Sequence, residues 1–339
     1  MHTQLSSLHL RKAKKQIVNA GQWLEGIDSK ILFIILLSIL LIKSGFIVET
    51  TNIIGSYLPV AKLFPHPAGY FSSSFGNVII SRVLRINNPE QWIALHAFLA
   101  ALALLIAAEE CRQINRGSRN LALLLFISLP ASANILHTIG KYDPIVYAGS
   151  FIFAFSACRG KAVIGSLIMA AGNPEQAFIA CTCSYILSLS RPFARHRKIC
   201  KLGVACSITV LTITQVWLAL SGSFGESRLM VIPRYLEQSI NQFESNPINY
   251  IWSLLGAFWV AFILILRLLK FNPVIIISCC IIAPFIFTLI TLDGSRVFGL
   301  ISLSSIIFTI RSLCSTNAIS TQARQILFVS FLPLWAWMG

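Results

Sequence analysis

Five ionisable side chains stand where an otherwise apolar chain offers them little company: Glu49, Asp143, Glu175, Asp293 and Arg296. Only 12 residues in the whole chain are acidic, so each carboxylate outside the charged ends carries weight. A carboxylate at the edge of a membrane can take a proton from an acceptor hydroxyl or hold a divalent cation. An arginine can grip a phosphate through parallel N–H bonds. Each residue also has a purely structural reading. Asp143 precedes Pro144 and reads as a helix cap with proline at the first helical position. Asp293-Gly294 reads as a turn, with Arg296 as an interface anchor. Glu175 is a first-turn acid, and Glu49 is either the polar end of a helix or a partner for Lys43. His66 and His137 stand alone. No phosphate-binding glycine loop, zinc-helix motif or nucleophile elbow occurs.

The elements that must position these groups are apolar. Of 339 residues, 56% are hydrophobic and 12% charged, and mean hydropathy is +0.75. A soluble domain carries about a quarter charged residues. An ordinary soluble enzyme, a disulfide-rich secreted protein and a fibrous protein are therefore excluded. Hydrophobic segments at 31–48, 91–108, 120–137, 144–157, 162–171, 177–190, 202–220, 250–267, 273–292, 297–311 and 325–338 predict an all-α polytopic transmembrane bundle. The expected organisation is a basic segment 1–30 followed by one membrane domain, 31–339, with long outer loops at 49–90 and 221–249. A short helix is expected around 234–243. The two segments within 162–190, split by Gly172-Asn-Pro-Glu-Gln176, are short for crossings and predict tilted spans or a re-entrant pair.

Charge sets the expected orientation. With a cytoplasmic N-terminus, nineteen Lys and Arg and four acids fall on the inner side, while seven basic and eight acidic residues fall outside. The net charge of +15 is thus a topology signal rather than a nucleic-acid footprint. The first apolar run lacks a cleavage site and reads as an uncleaved signal anchor. Upstream of it, residues 14–27 read as an interfacial helix or a basic tail. Nine cysteines fall within segments or on the inner side, without metal-site spacing, and read as small apolar filler. The tetrapeptide Asn-Pro-Glu-Gln occurs at 88–91 and 173–176, where Asn caps and Pro opens a helix.

The order of these features resembles the GT-C class of membrane glycosyltransferases, which draw a sugar from a polyprenyl-phosphate carrier at the outer face. Glu49 follows the first segment, a long loop comes next, and Lys141-Tyr-Asp-Pro-Ile-Val-Tyr147 resembles the motif opening the fourth helix. The resemblance implies that Glu49 and Asp143 serve catalysis. It also implies that Asp293 and Arg296 contact carrier phosphate and that a divalent cation is an admissible cofactor. Glu175 joins them as a candidate substrate-binding residue. The sequence departs from the class in carrying Glu rather than Asp at position 49, and no Asp-x-Asp follows. The implied partners are membrane lipids and a polyprenyl-phosphate sugar, without nucleic acid, in a bacterial plasma membrane crossed many times. A transporter or flippase with a broken helix at 162–190 is the alternative.

Overall fold

The computed structural model describes residues 19, 22–23, 26–45, 47–48, 50–67, 70–137, 139–226, 228–256, 258–268, 272–291, 293–315 and 323–326. The described chain is all helical, with one isolated bridge between Val48 and Ile139. Helix α1 (Ser29–Ser44) is capped by Asp28, whose carboxylate accepts the Lys30 amide at 2.8 Å. A π-helical turn, Ile53–Tyr57, leads into α2 (Leu58–Leu63), and α3 (Phe75–Val83) follows. Then come α4 (Pro89–Cys111), α5 (Arg116–Ile127), α6 (Pro130–His137), α7 (Asp143–Ala154), α8 (Arg159–Gly172), α9 (Pro174–Leu189) and α10 (Arg197–Leu220). The remainder comprises α11 (Arg228–Ser245), α12 (Pro247–Leu255), α13 (Phe258–Leu268), α14 (Pro273–Ile277), α15 (Ala283–Thr288) and α16 (Gly294–Ser315).

Three helical stretches are long and apolar enough to cross a membrane: Pro89–Cys111, Arg191–Leu220 and Gly294–Cys314. Counting two bent pairs as single spans raises the number to five. The α5–α6 pair bends by 51° just before Pro130, whose ring cannot continue a helix without losing a backbone bond. The α12–α13 pair bends by 66° at Gly256, which has a φ of 54°. The 273–292 segment is interrupted by a π-helical turn at Ser278–Ile282. Residues 327–338 of the last expected segment and most of the interfacial reading of 14–27 lie outside the described residues. The two expected long loops are themselves largely helical, in α2–α3 and in α11. The last of these extends well beyond the expected 234–243.

Large apolar side chains fill the core, and helices α4 and α10 also turn bulky apolar residues outward. On α4 the inward residues include Ala100, Ala103 and Ala107, whereas Phe98, Leu102 and Leu105 form an exposed stripe at i, i+4 and i+7. Ile213, Val216 and Leu220 make a similar exposed stripe on α10. A water-soluble helix shows the reverse pattern. Helix α16 sits at the centre: 94% of its apolar window is buried, against 33% for α4. Its serines and threonines meet neighbouring helices, as in Ser305 with Ser184 at 3.4 Å and Thr309 with Cys280 at 3.7 Å. Small residues and hydroxyls supply helix contact where hydrophobic burial cannot discriminate.

Helices α7 and α8 show the closest approach. Gly149 faces Met169 and Gly165, Gly165 lies against Phe153, and Gly172 meets Val146, so the two run antiparallel. A methyl group at Gly149 would lie 2.6 Å from the Met169 backbone nitrogen, and one at Gly165 would overlap the Phe153 backbone. The opposed ends of this pair define the two ends of the molecule. Asp143, Gly172 and the start of α16 lie at one end. At the other, Lys161 pairs with Glu110 at 2.6 Å and Arg311 donates to the Ala154 carbonyl at 2.8 Å. Gly165→Ala should therefore destabilise the purified protein by about 1–3 kcal/mol through overpacking. Gly160→Ala, on the same helix with nothing within 4 Å, should be neutral or stabilising. Equal thermal unfolding of the two variants would contradict close α7–α8 packing.

Candidate functional site

The Asp143 end is assembled from capped helix starts. Asn88 accepts the Gln91 amide at 2.8 Å and Asn173 accepts the Gln176 amide at 3.0 Å, so both Asn-Pro-Glu-Gln copies open helices as their chemistry requires. The first cap fixes α4 so that Trp92 is buried, donating from Nε1 to the Gly140 carbonyl at 3.0 Å. Trp92 stacks between Tyr57 and His96, with ring centroids 5.9 and 4.5 Å away. Gly140 adopts a φ of 114°, and a side chain there would press on Ile53. The turn at 139–142 is thereby clamped between α4 and the π-helical turn. The Ile139 amide donates to the Ile47 carbonyl at 3.2 Å, and His137 Nδ1 lies 3.0 Å from the Ser44 carbonyl. These contacts bring the end of α1 beside the same turn.

From this clamp Asp143 enters the protein fully buried. Its carboxylate does not cap α7. Tyr142 occupies the cap position and Asp143 is the first helical residue. Instead, Arg296 Nη1 straddles the two Asp143 oxygens at 3.1 and 3.3 Å. Arg296 Nη2 reaches Asp293 Oδ2 at 2.7 Å, and Lys141 Nζ lies 3.7 Å from the same oxygen. The guanidinium also sits over the Tyr142 ring, 5.5 Å from its centroid. Two carboxylates and two cations thus alternate in one cluster of balanced charge. Asp143 and Lys141 are buried, whereas the Asp293 side chain is half-exposed. Arg296, backed by Lys141, holds the Asp293 carboxyl below the ordinary carboxylate range.

Of the five residues singled out by the sequence, Asp143, Asp293 and Arg296 meet in this cluster. Glu49 lies outside the described residues, although Val48 pairs with Ile139, four positions before Asp143. Glu175 is buried at the start of α9 and accepts from Gln215 Nε2 of α10 at 3.3 Å. That contact forms a separate wall of the same end. Lys141, Tyr142 and Trp92 build the cluster without having been assigned a role in advance. Lys141 and Tyr142 do fall inside the seven-residue segment that stood out. Among the described residues, no three His, Cys, Asp or Glu side chains gather as a metal site. The cysteines are free, and all but Cys158 and Cys206 are buried, as small apolar residues are.

Compared with known proteins, the chain matches no family model, no curated protein and no solved structure. The cluster's chemistry is therefore read from its geometry. A depressed carboxyl contributes stability that is present above its unfolded value and is lost as pH falls through its folded value. Asp293 should accordingly remain ionised below pH 3.8, its ordinary value, and the Asp293–Arg296 contact should fail only on further acidification. The chain has three aspartates, so carboxyl carbon signals in aspartate-labelled protein can be assigned by single substitution. The Asp293 signal should titrate below 3.8 in the wild type and move upward in Arg296→Gln. An unchanged titration in that variant would remove Arg296 as the cause.

Proposed function

We propose that this chain is a multi-pass membrane protein with a cytoplasmic N-terminus. Its Asp143 end faces outward and transfers a sugar from a polyprenyl-phosphate carrier to a hydroxyl acceptor. The observation that carries this reading is Arg296, held at the edge of an apolar bundle by one buried and one half-exposed carboxylate. Such a guanidinium is anchored from below by Asp143, while its contact with Asp293 is open to exchange for an anionic ligand. Outward apolar stripes on α4 and α10 suit lipid contact. The opposite end carries Arg112, Arg119, Arg159, Lys161, Arg195 and Arg197, the basic excess expected of a cytoplasmic side.

In the proposed reaction a carboxylate takes the acceptor hydroxyl proton as the oxygen bonds to the anomeric carbon. The bond from that carbon to the carrier phosphate oxygen breaks, and its electron pair stays on the phosphate. In this reading Arg296 and Lys141 stabilise that growing charge. Glu49 is assigned the base, by its place after α1. Asp143 acts by holding Arg296, and Glu175 lines the acceptor side. The competing transporter reading uses the break at Asn173. That break lies at the Asp143 end, beside Gly76 of α3, rather than midway along the bundle where transport sites use broken helices.

Turnover of a polyprenyl-phosphate sugar by purified protein tests the proposal. Glu49→Gln should lower the rate roughly 10²–10⁴-fold, the contribution of a general base, with folding retained. Asp143→Asn should also lower it, because Asn keeps the shape but not the charge that fixes Arg296. Wild-type turnover in both variants would overturn the assignment.

A further inference from the structure

A second feature of the same end lies in the segment that the sequence presents as a loop. Helices α2 and α3 enclose a cleft of about 390 Å³, lined by Ala61, Lys62, Ser81, Arg82, Arg85 and Asn87 together with Ile86. That volume falls within the range of small-ligand sites, about 300–1,000 Å³. Three of the lining residues are cations, and no ion pair among the described residues engages any of them. Three uncompensated positive charges around one concavity focus a field that favours an anion. At the base of the cleft Ser81 is 1% exposed, and its Oγ has no hydrogen-bond partner. A buried hydroxyl without a partner carries a desolvation penalty that a ligand oxygen would relieve.

The backbone holds the third cation in place at a cost. Helix α3 ends with the Ile86 amide donating to the Ser81 carbonyl at 2.9 Å, and Arg85 occupies the left-handed position with a φ of 54°. Glycine is the usual residue there, and a residue with a side chain is strained by roughly 1–2 kcal/mol. One turn back along the same helices, Tyr57, Val60, Asn77 and Val78 close a seam of only about 10 Å³ against Lys141 and Tyr142. The cleft is therefore a neighbour of the Asp143 cluster and separate from it.

We propose that this cleft binds a phosphate ester or diphosphate, with Lys62, Arg82 and Arg85 supplying the charge and Ser81 Oγ an oriented donor. The assignment stands whether or not sugar transfer occurs at Asp143. Inorganic diphosphate is the probe, titrated calorimetrically into the full chain in neutral detergent. The wild type should bind it, with affinity falling as salt rises. The Arg82→Ala/Arg85→Ala double variant should bind at least about tenfold more weakly, as expected for losing charge-assisted hydrogen bonds. Arg159→Ala, at the opposite end, should bind as the wild type does. Ser81→Ala should lower affinity without lowering thermal stability, which a merely structural serine would not do. Absence of binding by the wild type, or equal affinity in the double variant, would overturn the proposal. Repeating the titration in nanodiscs separates two sources of the phosphate. Loss of diphosphate binding in phosphatidylglycerol discs, with retention in phosphatidylcholine discs, assigns the cleft to a lipid headgroup. Retention in both assigns it to a phosphate that is not bulk lipid. The same titration in both discs by the double variant, undiminished, would contradict either.

Discussion

Asp143 and Arg296 lie 153 positions apart in the chain, and their contact joins the first residue of α7 to the first turn of α16. Both helices are packed into the protein, so the ion pair must form in a place where neither charge can be left alone. Removing one partner from such a pair typically costs about 3–5 kcal/mol, because the other remains buried and uncompensated. Much of the local structure follows from satisfying this constraint. Tyr142 provides an aromatic face beneath the guanidinium, and Asp293 and Lys141 complete the charge balance. Trp92 and Gly140 fix the turn from which Asp143 enters. Arg311 at the far end of α16 donates to the Ala154 carbonyl at the far end of α7, so the two helices are tied at both ends and run parallel.

Between those tethers large apolar side chains fill the interior, as where Phe153 of α7 meets Phe308 of α16 edge to face at 5.8 Å, and small groups allow the closest helix approaches. Gly149 and Gly165 let α7 and α8 approach through their backbones, and α16 presents serine and threonine hydroxyls to its neighbours. The bulky aliphatic residues are turned outward on α4 and α10. In water this surface would be an aggregation liability; in a bilayer it matches the solvent, and specificity then falls to close contact and hydrogen bonds. The proposed anionic ligand would meet the Asp143–Arg296–Asp293–Lys141 cluster at one end of this interior. The basic cleft between α2 and α3 adds an independent observation in the same direction.

The all-helical class was legible in the sequence because apolar runs and their punctuation are local properties. Of the eleven expected segments, however, only three helices, or five counting bent pairs, are long and apolar enough to cross a membrane among the described residues. The caps at Asn88 and Asn173 could be read from four residues each. Asp143 could be singled out by its rarity, but its partner could not, because the local signal of Asp before Pro144 favours a cap. Only the tertiary fold brings Arg296 close enough to compete. The bends at Pro130 and Gly256 divide runs that hydropathy alone reads as continuous. The cleft of Lys62, Arg82 and Arg85 was illegible for a similar reason. Segment 49–90 contains prolines and serines that read as loop, so the helices bringing position 62 opposite 82 and 85 were not anticipated.

A double-mutant cycle on Asp143 and Arg296, measured by equilibrium unfolding in detergent, tests the organising pair most directly. If the pair is the constraint described, Asp143→Asn and Arg296→Gln each destabilise the protein. The double variant is then less destabilised than the sum of the two, with an interaction energy of about 0.5–3 kcal/mol, as expected for contacting charges. Additive effects, with no interaction energy between the two positions, would contradict it.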